Sequence, residues 1–426
     1  MKQTEIGMIP DDWEVTTIGQ QTEIFGRIGF RGYTINDIVD EGFGAITLSP
    51  SNIQNNKMDY SKCTYLSWAK YEESPEIKIF DGDILIVKTG STYGKSAIVK
   101  NLRKKATINP QFVVLKKIKC SNELLSYLIQ NPIIQSQIEE AIVGGAIPTL
   151  SQKQIASFKL PLPPTLAEQQ KIAKALSDVD NVITTLEKLI TKKKNLKQGT
   201  MQQLLTGKKR LPGFAKSDKF KQTEIGEIPE DWEVKTFGNF ATIVRGGSPR
   251  PIQDYLTNNS DGINWIKIGD VNSEDKYIVK TEEKIIPAGK SRSREVHIGD
   301  FILSNSMSFG RPYILKINGC IHDGWLAIQN YQETFDSDFL YYLLGSDKIF
   351  EQYISMAAGS SVQNLNKQKV SKLKVPIPSK PEQTAIANVL SSMDKEIEAL
   401  NTKLEKYRDL KTGMMQQLLT GKIRLM

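Results

Sequence analysis

The stretch KQTEIGMIPDDWEV, at residues 2–15, occurs a second time as KQTEIGEIPEDWEV at residues 221–234, with twelve of fourteen positions identical. A second motif, MQQLLTGKKRL at 201–211, returns as MQQLLTGKIRL at 415–425, with ten of eleven positions identical. The two motifs recur after 219 and 214 residues, which is about half of the 426-residue chain. A period this long excludes a solenoid of short repeats and predicts two copies of one long unit.

The first part of each copy, at about 6–162 and 225–378, is rich in short β-type runs such as DILIVK and DFILS. Gly, Asn and Pro residues separate these runs, as is typical of turns between strands. One helical segment is predicted in each copy, at 122–143 and 337–356. We therefore expect a mixed α/β globule in each copy.

The second part of each copy contains six apolar residues at alternating steps of four and three residues, which is the spacing of a coiled-coil seam. The predicted contacts between the two helices are made by Ile172, Leu176, Val179, Ile183, Leu186, Ile190, Ile386, Leu390, Met393, Ile397, Leu400 and Leu404. Two helices with one narrow apolar stripe each are expected to pair, here as an antiparallel coiled coil. The alternative is that each helix packs only on its own globule.

Four glycines of the helical parts recur at equivalent positions. Gly199 and Gly413 are predicted to interrupt the helices, and Gly207 and Gly421 to cap their ends. The sequence thus predicts an α+β protein, in which two pseudo-repeated mixed α/β domains are separated by two long helices that form an antiparallel coiled coil. The predicted boundaries are 1–163 for the first globular domain, 164–207 for the first helical region, 208–220 for a basic linker, 221–379 for the second globular domain and 380–426 for the second helical region.

The chain has a net charge of +8, a modest excess that by itself points only weakly to nucleic acid. Residues 188–222 contain eleven Lys and Arg against a single acid, Asp218. This stretch is either a solvated helix end and linker or a segment that lies near a polyanion.

Other features of the composition favour a cytoplasmic protein without membrane spans. No apolar run approaches the ~18 residues of a membrane helix, and the N-terminal residues lack the apolar region of a signal peptide. Cys63, Cys120 and Cys320 lie far apart and in no metal-ligand spacing, which is typical of reduced thiols.

The segment TGSTYGKSA, at 89–97, matches a phosphate-binding P-loop with one residue missing. A P-loop requires a helix after its lysine, whereas the following SAIVK is strand-like. The second copy retains only an aromatic residue, a glycine and a cation at Phe309, Gly310 and Arg311. We therefore interpret the segment as a β-hairpin that offers a cation and an aromatic ring to nucleic acid, or else as a plain hairpin with a solvated lysine.

Other enzyme motifs are incomplete. NPQF at 109–112 has the wrong middle residue for an amino-methyltransferase, and its counterpart is HDGW at 322–325. Glu76 and Lys78 form a nuclease-like E-x-K that the second copy lacks, and neither histidine, His297 or His322, has a triad-like neighbourhood. No catalytic, cofactor-binding or metal-binding residue is therefore predicted.

The ordered set of motifs resembles the specificity subunit of type I restriction–modification systems. The shared motifs are IP-x-[DE]-W at 9–13 and 228–232, the Gly-Asp hairpin with its Gly94 or Gly310, the PLPP and PIPS segments, the E-Q-x-x-I-A helix starts at 168–173 and 382–387, and the QQLLTGK helix ends. The set occurs twice and covers nearly the whole chain.

The resemblance implies that each globule is a target recognition domain that reads one half of a bipartite, asymmetric sequence in double-stranded DNA. The helices would fix the half-site separation and dock two methyltransferase (modification) subunits, which restriction subunits then join. S-adenosylmethionine, ATP and Mg are expected on those partners, and this chain would be non-catalytic with no cofactor of its own. The alternative is a tandem coiled-coil scaffold that binds proteins without DNA recognition.

Within each globule, the hairpin and the polar loops contain the residue types that contact bases and phosphates. The predicted DNA-binding residues are Arg27, Arg31, Lys88, Thr89, Ser91, Thr92, Tyr93 and Lys95 in the first copy, and Arg245, Arg250, Arg292, Arg294, Asn305, Ser306, Ser308 and Arg311 in the second.

Overall fold

The computed structural model describes residues 1–142, 148–272, 275–305, 310–357 and 365–425. The chain divides into two compact units, and the division does not follow the sequence halves. The first unit comprises Met1–Glu187 together with Thr402–Met426, and the second comprises Lys188–Asn401. Each long helix is therefore shared between the units, so that the end of the second helix completes the first unit.

The first unit contains fourteen strands among the described residues. They are β1 (Lys2–Thr4), β2 (Gly7–Ile9), β3 (Glu14–Thr17), β4 (Glu23–Gly26), β5 (Ile38–Val39), β6 (Gly44–Leu48), β7 (Ile53–Gln54), β8 (Lys57–Met58), β9 (Thr64–Ser67), β10 (Ile84–Val87), β11 (Ser96–Ile98), β12 (Ala106–Ile108), β13 (Phe112–Lys116) and β14 (Lys159–Leu162). Its helices are α1 (Ile18–Gln21), α2 (Trp68–Glu72), α3 (Asn122–Ile129), α4 (Pro132–Ala141), α5 (Gln152–Ser157) and the first part of α6 (Leu166–Leu205).

Two four-stranded sheets, in the orders β11-β10-β13-β4 and β12-β6-β9-β5, form the body of this unit. Apolar side chains from both sheets meet between them, including Leu85, Val87 and Val114 of the first and Ile46 and Ile108 of the second. Both faces of β10 are buried, which explains its uninterrupted apolar sequence ILIV. Pairing of β3 with β14 then brings the start and the end of the globule together.

The second unit repeats this arrangement. Its strands are β15 (Phe220–Thr223), β16 (Gly226–Pro229), β17 (Glu233–Thr236), β18 (Thr242–Arg245), β19 (Leu256–Thr257), β20 (Ile263–Ile266), β21 (Tyr277–Ile278), β22 (Glu283–Ile285), β23 (Arg294–Val296), β24 (Phe301–Ser304), β25 (Pro312–Leu315), β26 (Gly319–Ile321), β27 (Trp325–Gln329) and β28 (Lys374–Ile377). Its helices are the last part of α6, α7 (Ser337–Leu344), α8 (Asp347–Ala357), α9 (Lys367–Ser371) and the first part of α10 (Lys380–Leu418).

The two large sheets of the second unit, β18-β27-β24-β25-β21 and β19-β22-β20-β26-β23, each have one strand more than their counterparts. The shared strands keep the same neighbours, including the parallel pair of β20 with β26, which matches β6 with β12. The repeat seen in the sequence is therefore a repeat of topology.

The predicted helical segment of each globule is in fact two helices, so the prediction of one continuous helix was wrong. In the first unit Asn131 caps α4 through its side chain and Pro132 begins it, which ends α3 at Ile129. In the second unit Gly345 and Ser346 separate α7 from α8. Residue 143, where the first segment was predicted to end, lies outside the described residues.

The glycine predictions were half right. The helices run through Gly199 and Gly413 to Leu205 and Leu418, since a single glycine costs only ~1 kcal/mol relative to alanine and the helix ends beyond them bury Met201, Leu204 and Leu418. Gly207 and Gly421 do lie just past the helix ends in the left-handed region, with φ of +70° and +67°. None of the helices in the described ranges combines the length and apolarity needed to cross a bilayer.

Within each unit the two long helices are antiparallel. In the first unit Lys411 pairs with Asp180 at 2.8 Å, and further along Arg408 pairs with Glu187 at 2.8 Å. In the second unit Lys193 pairs with Glu396 at 2.6 Å and Lys197 with Asp394 at 2.5 Å. In both units, residue numbers rise along one helix as they fall along the other.

The end of each long helix contacts the N-terminal hairpin of a copy. In the first unit Gly421 lies against Pro10 and Trp13, where an added Cβ would come within 2.3 Å of the proline ring. Beside it, Arg424 donates to Glu168 at 2.9 Å and to Asp12 at 2.8 Å. The absence of a side chain at Gly421 therefore allows the close approach.

The second unit has the same contact between a helix end and a hairpin. Gly207 lies against Pro229 and Trp232, with 2.4 Å between an added Cβ and the proline ring. Arg210 donates to Glu382 at 2.8 Å and to Asp231 at 2.7 Å. These contacts explain why the IP-x-[DE]-W and LLTGK motifs recur together.

We expect Leu419→Ala to destabilise the first unit by about 2–5 kcal/mol, because this fully buried side chain packs in the same cluster as Ile9 and Trp13. Leu410→Ala, in helix α10, which ends just before Leu419, and at a side chain that is 48% exposed, is the matched control and should have little effect. Hydrogen exchange of the amides of β10 and β13 measures the loss. Faster exchange confined to β24 and β27 of the second unit would contradict this assignment.

Candidate nucleic-acid interface

The hairpin of the first unit is formed by β10 and β11, which pair in antiparallel register from Ile84↔Ile98 to Ile86↔Ser96. Its loop closes where the amide of Gly94 donates to the carbonyl of Val87 at 2.9 Å. Strand β11 begins directly after Lys95, so no helix N-terminus is available to bind phosphate as in a P-loop. The segment is therefore a β-hairpin and not a P-loop, and its contact with nucleic acid stays a prediction.

The loop of this hairpin is held on both sides by backbone hydrogen bonds. The amide of Lys88 donates to the carbonyl of Gln111 at 2.7 Å, and the amide of Leu150 donates to the carbonyl of Lys88 at 2.7 Å. Gly90 has φ of +104°, a conformation that favours glycine. The loop is therefore a fixed part of the globule and not a free arm.

Side chains of this loop form a polar surface. Ser91 and Thr92 are exposed, and Lys88, Thr89, Tyr93 and Lys95 are half-buried. Thr92, Tyr93 and Lys95 line a cleft of about 380 Å³ together with Asn56, Gln130 and Gln135. The structure thus brings six of the eight residues predicted for this copy into one surface.

Arg27 does not belong to this exposed surface. Only 6% of its surface is exposed, its Nε donates to the carbonyl of Ile108 at 3.0 Å, and an Nη donates to Thr107 Oγ1 at 3.1 Å. Burial lowers the pKa of this guanidinium, which arginine tolerates without losing its charge. Its position does not support the predicted DNA contact, because its N–H groups are used inside the globule. Arg31, which pairs with Glu76 at 3.5 Å, remains near the surface.

In the second unit, the predicted residues converge on Asp323 in the turn between β26 and β27. Arg245 Nε and Asn305 Nδ2 donate to its carbonyl oxygen at 3.3 and 2.9 Å, and Arg250 lies 3.6 Å from its carboxylate. Arg294 Nε donates in turn to the carbonyl of Arg245 at 3.4 Å. These contacts hold three arginines and an asparagine on one side of the globule.

These arginines are exposed, whereas Asn305 is buried. Arg245, Arg292 and Arg294 are exposed, and the Arg250 side chain is 82% exposed. Arg292 lies over the ring of Tyr255 at 5.8 Å, and Arg311 is half-buried beside β25. Asn305 is only 4% exposed, so this side chain positions the turn. Ser306 and Ser308 lie outside the described residues.

Asp323 and His322 were not among the predicted DNA-binding residues, although the motif HDGW contains both. His322 Nε2 lies 3.0 Å from the Asp323 carboxylate, to which Ser248 also donates at 3.0 Å. Ser248 contacts the carboxylate and not the imidazole, so the three residues lack the order of a catalytic triad. The equivalence of HDGW with NPQF in the sequence could have indicated that these two residues belong to the site, since both turns lie beside the hairpin.

The backbone at this position is the same in both units. The amide of Asn305 donates to the carbonyl of Gly324 at 3.1 Å, and the amide of Leu365 donates to the carbonyl of Asn305 at 3.0 Å. These bonds reproduce those of Lys88 in the first unit. One backbone frame therefore presents a lysine, tyrosine and hydroxyl surface in the first unit and an arginine-rich surface in the second.

The residues of the predicted coiled-coil seam contact both the other long helix and the globules. Ile172 and Leu176 pack with Leu418 and Leu419 and with the core of the first globule, and Ile386 and Leu390 do the same with Leu204 in the second. Of the remaining seam residues, six are buried and two half-buried: Val179, Ile183, Leu186, Ile190, Ile397 and Leu404, and then Met393 and Leu400. The helices therefore pair with each other and also pack on the globules, so the alternative in which each helix packs only on its own globule does not hold.

The basic stretch at 188–222 is partly used inside the protein. Lys193, Lys197 and Arg210 form ion pairs within the second unit, and Lys221 Nζ donates to the carbonyl of Glu230 at 2.8 Å. Two of its eleven cations, Lys193 and Lys197, therefore contribute to helix pairing. Across the described ranges, no group of three or more His, Cys, Asp and Glu side chains is placed to hold a metal ion.

Comparison with known proteins agrees with this architecture. The family described as "Type I restriction modification DNA specificity domain" matches residues 10–198 and 229–406. A Methanocaldococcus jannaschii protein named for the MjaX type I restriction enzyme specificity subunit is 31% identical, over 100% of this chain and 96% of its own. The MjaVIII specificity subunit of the same organism is 28% identical, over 98% of this chain and 94% of its own.

A solved specificity subunit from M. genitalium has a TM-score of 0.57 and 15% identity, covering 98% of each chain. A chain from a structure of type I restriction–modification complex assembly has a TM-score of 0.58 and 16% identity, covering 98% of this chain and 100% of its own. These similarities establish the fold. The protein belongs to the type I restriction–modification DNA specificity family, and as such it is a DNA-recognition component and not an enzyme.

We expect Arg27→Lys to destabilise the first unit by about 1–3 kcal/mol, because lysine leaves the buried oxygens of Thr107 and Ile108 without their donors. Arg31→Lys is the matched control, since its ion pair is closer to the surface. Denaturant titration followed by hydrogen exchange of β12 measures the difference. Equal stability of the two variants would contradict a structural role for Arg27.

Proposed function

We propose that the chain reads a bipartite, asymmetric sequence in double-stranded DNA, with one half-site contacted by each globule. The observation that supports this most strongly is the shared backbone frame with different side chains. The same backbone conformation in both units would let each globule contact a DNA groove in the same way. The different side chains would then contact different bases. Two unlike reading surfaces would make the target asymmetric.

The chemistry of each surface suits its role. Arg245, Arg250 and Arg294 present cationic forks of the kind that bind guanine edges and phosphates. Asp323 restrains Arg245 and Arg250, and the Arg245 carbonyl restrains Arg294. In the first unit Lys95 and Tyr93 offer a cation and a ring, and Ser91 and Thr92 offer hydroxyls. Arg292 and Arg311 extend the surface of the second unit.

We propose that the long helices set the separation between half-sites. α6 has 40 residues and α10 has 39, so each is about 60 Å long at ~1.5 Å per residue. Two readers on such a support suit major-groove sites about one helical turn or more apart. The helices are also the proposed docking surface for two methyltransferase subunits.

The remaining chemistry would reside on partner subunits in the cytoplasm. Methyltransferase subunits would bind S-adenosylmethionine and methylate adenine, and restriction subunits would use ATP and Mg. Adenine must leave the base stack to be methylated, a task for the partner. This chain would supply sequence recognition and assembly.

We expect Arg250→Ala and Lys95→Ala each to weaken binding at a different half-site, by about 1–3 kcal/mol where a base contact is lost. Arg103→Ala is the control, because Arg103 is exposed and lies in the connection between β11 and β12, at the other end of β11 from the 88–95 loop. Titration against targets with one half-site scrambled assigns each effect. Equal weakening on unrelated DNA would reassign the residue to the phosphate backbone, with a matching decrease in salt dependence.

Inserting seven residues into both helices, after Leu186 and after Leu400, should lengthen the DNA spacer. Seven residues preserve the seam and add about 10 Å, close to three base pairs. The half-site sequences should stay the same. An unchanged spacer in a complex that still methylates would contradict the role of the helices.

The first experiment is base-resolution methylation sequencing of host DNA with this gene present and deleted alongside its neighbours. A gapped adenine-methylation motif that vanishes on deletion is the expected result. A lack of salt-dependent DNA binding by the purified complex, together with an unchanged methylation pattern, would instead favour a protein-binding scaffold.

A further inference from the structure

In the first unit, three elements meet at one carboxylate. Tyr127 of α3 donates its hydroxyl to Asp180 Oδ2 of α6 at 2.7 Å. Lys411 of α10 lies 2.8 Å from Asp180 Oδ1, with its ammonium 5.7 Å from the centre of the Tyr127 ring. The carboxylate thus joins the globule to its own long helix and to the antiparallel partner helix.

The second unit contains the same junction. Tyr342 of α7 donates to Asp394 Oδ2 of α10 at 2.6 Å, and Lys197 of α6 lies 2.5 Å from Asp394 Oδ1. The Lys197 ammonium is 5.3 Å from the centre of the Tyr342 ring. Ser391, one helical turn before Asp394, is 3.2 Å from the tyrosine hydroxyl.

The junction recurs although the globule loops have diverged. The segments that supply the tyrosines, NELLSYLI at Asn122–Ile129 and SDFLYYLL at Ser337–Leu344, share only three of eight residues, and one of these is the tyrosine. Ser177 occupies the helix position equivalent to Ser391. Retention of the whole cluster in both copies sets it apart from the reading surfaces.

Apolar packing alone does not fix the orientation of a globule. Leu124 and Leu128 of α3 pack near Ile172 and Leu176, but hydrophobic contact is non-directional and tolerates small rotations. A charge-assisted hydrogen bond requires a defined distance and angle. The Asp180 side chain is only 14% exposed, so losing either partner would leave a poorly solvated charge.

The tyrosines act as donors throughout the physiological range. Burial raises the pKa of Tyr127, and its hydrogen bond to the Asp180 carboxylate raises it further. The same two causes raise the pKa of Tyr342, with Asp394 as the acceptor. Neither hydroxyl is therefore expected to ionise and repel its aspartate.

We propose that the two Tyr–Asp–Lys junctions are positioning devices that fix the rotation of each globule on the helix pair, and that they thereby limit the spacer lengths the protein accepts. This inference rests on the proposed reading of two half-sites. One added base pair moves a half-site by ~3.4 Å and rotates it by about 34° around the DNA axis. A globule that rotates on its helix would accept targets whose spacer is one base pair longer or shorter, whereas a globule with a fixed orientation would reject them.

Tyr127→Phe and Asp180→Asn test the proposal in the full-length chain. Tyr127→Phe removes one hydroxyl and keeps the ring, and Asp180→Asn removes the charge with little change of volume. Asp178→Asn is the matched control, because Asp178 lies on the same helix in an exposed pair with Lys174. Lys57 also contacts this helix, with its ammonium 2.5 Å from Thr184 Oγ1, so each variant is repeated with Lys57→Ala.

Two measurements are made on each variant. Pulsed electron paramagnetic resonance between labels at exposed positions 62 and 171, in a cysteine-free background, reports the globule's orientation on its helix without DNA. DNA binding to targets with the native spacer, and with one base pair more or fewer, reports spacer preference.

The expected result is a single narrow distance distribution in the parent and in Asp178→Asn, and a broadened one in Tyr127→Phe and Asp180→Asn. Spacer discrimination should fall about tenfold, the scale of one lost hydrogen bond to a charged group, with half-site preference unchanged. An unchanged distance distribution or an unchanged spacer preference would overturn the junction proposal. If the parent prefers no gapped target, the proposed function fails, and the distance measurement alone then decides whether the junction orients the globule.

Discussion

The close contact between each helix end and an N-terminal hairpin is the constraint on which the rest of the structure depends. A glycine in the left-handed conformation lets the backbone reach a proline ring and an indole at distances that a side chain would forbid. An arginine three residues later then bridges a hairpin aspartate and a helix glutamate, as Arg424 and Arg210 do. Because these contacts occur in both units, each helix end is fixed beside the start of the other long helix, and the antiparallel pairing follows.

The two surfaces that we propose for DNA contact differ between the units, although their backbone is the same. The hairpin loop and the turn beside it keep the same backbone hydrogen bonds in both units, but their side chains differ almost completely. In the second unit, the buried Asn305 and the exposed Arg250 both contact Asp323. In the first unit, the corresponding surface contains a cleft lined by Lys95. Backbone bonds tolerate side-chain exchange, so a fold of this kind can change what it reads without changing how it folds.

Much of this architecture could be predicted from the sequence, because duplication and heptad spacing are local patterns. The seam residues, the hairpin and the glycine caps were all predicted from such patterns. The burial of Arg27 could not be predicted, because it depends on Thr107 and Ile108, some eighty positions away. Asp323 was absent from the predicted residues for the same reason, since its distant partners come from two other segments, residues 245–250 and Asn305. The sequence also did not predict which segments make up the first unit, since no local pattern indicates that residues 402–426 complete it.

That discontinuous first unit has a consequence for biosynthesis. The second unit, Lys188–Asn401, is one continuous segment, whereas the first needs residues from both Met1–Glu187 and Thr402–Met426. Translation proceeds from the N-terminus, and domains generally fold once all their residues have emerged from the ribosome. The unit that begins the chain is thus the last to be completed. Until then, the apolar surface around Trp13 and Ile172 is not covered by Leu418 and Leu419. We therefore expect the nascent first unit to be accessible to chaperones and proteases for longer than the second.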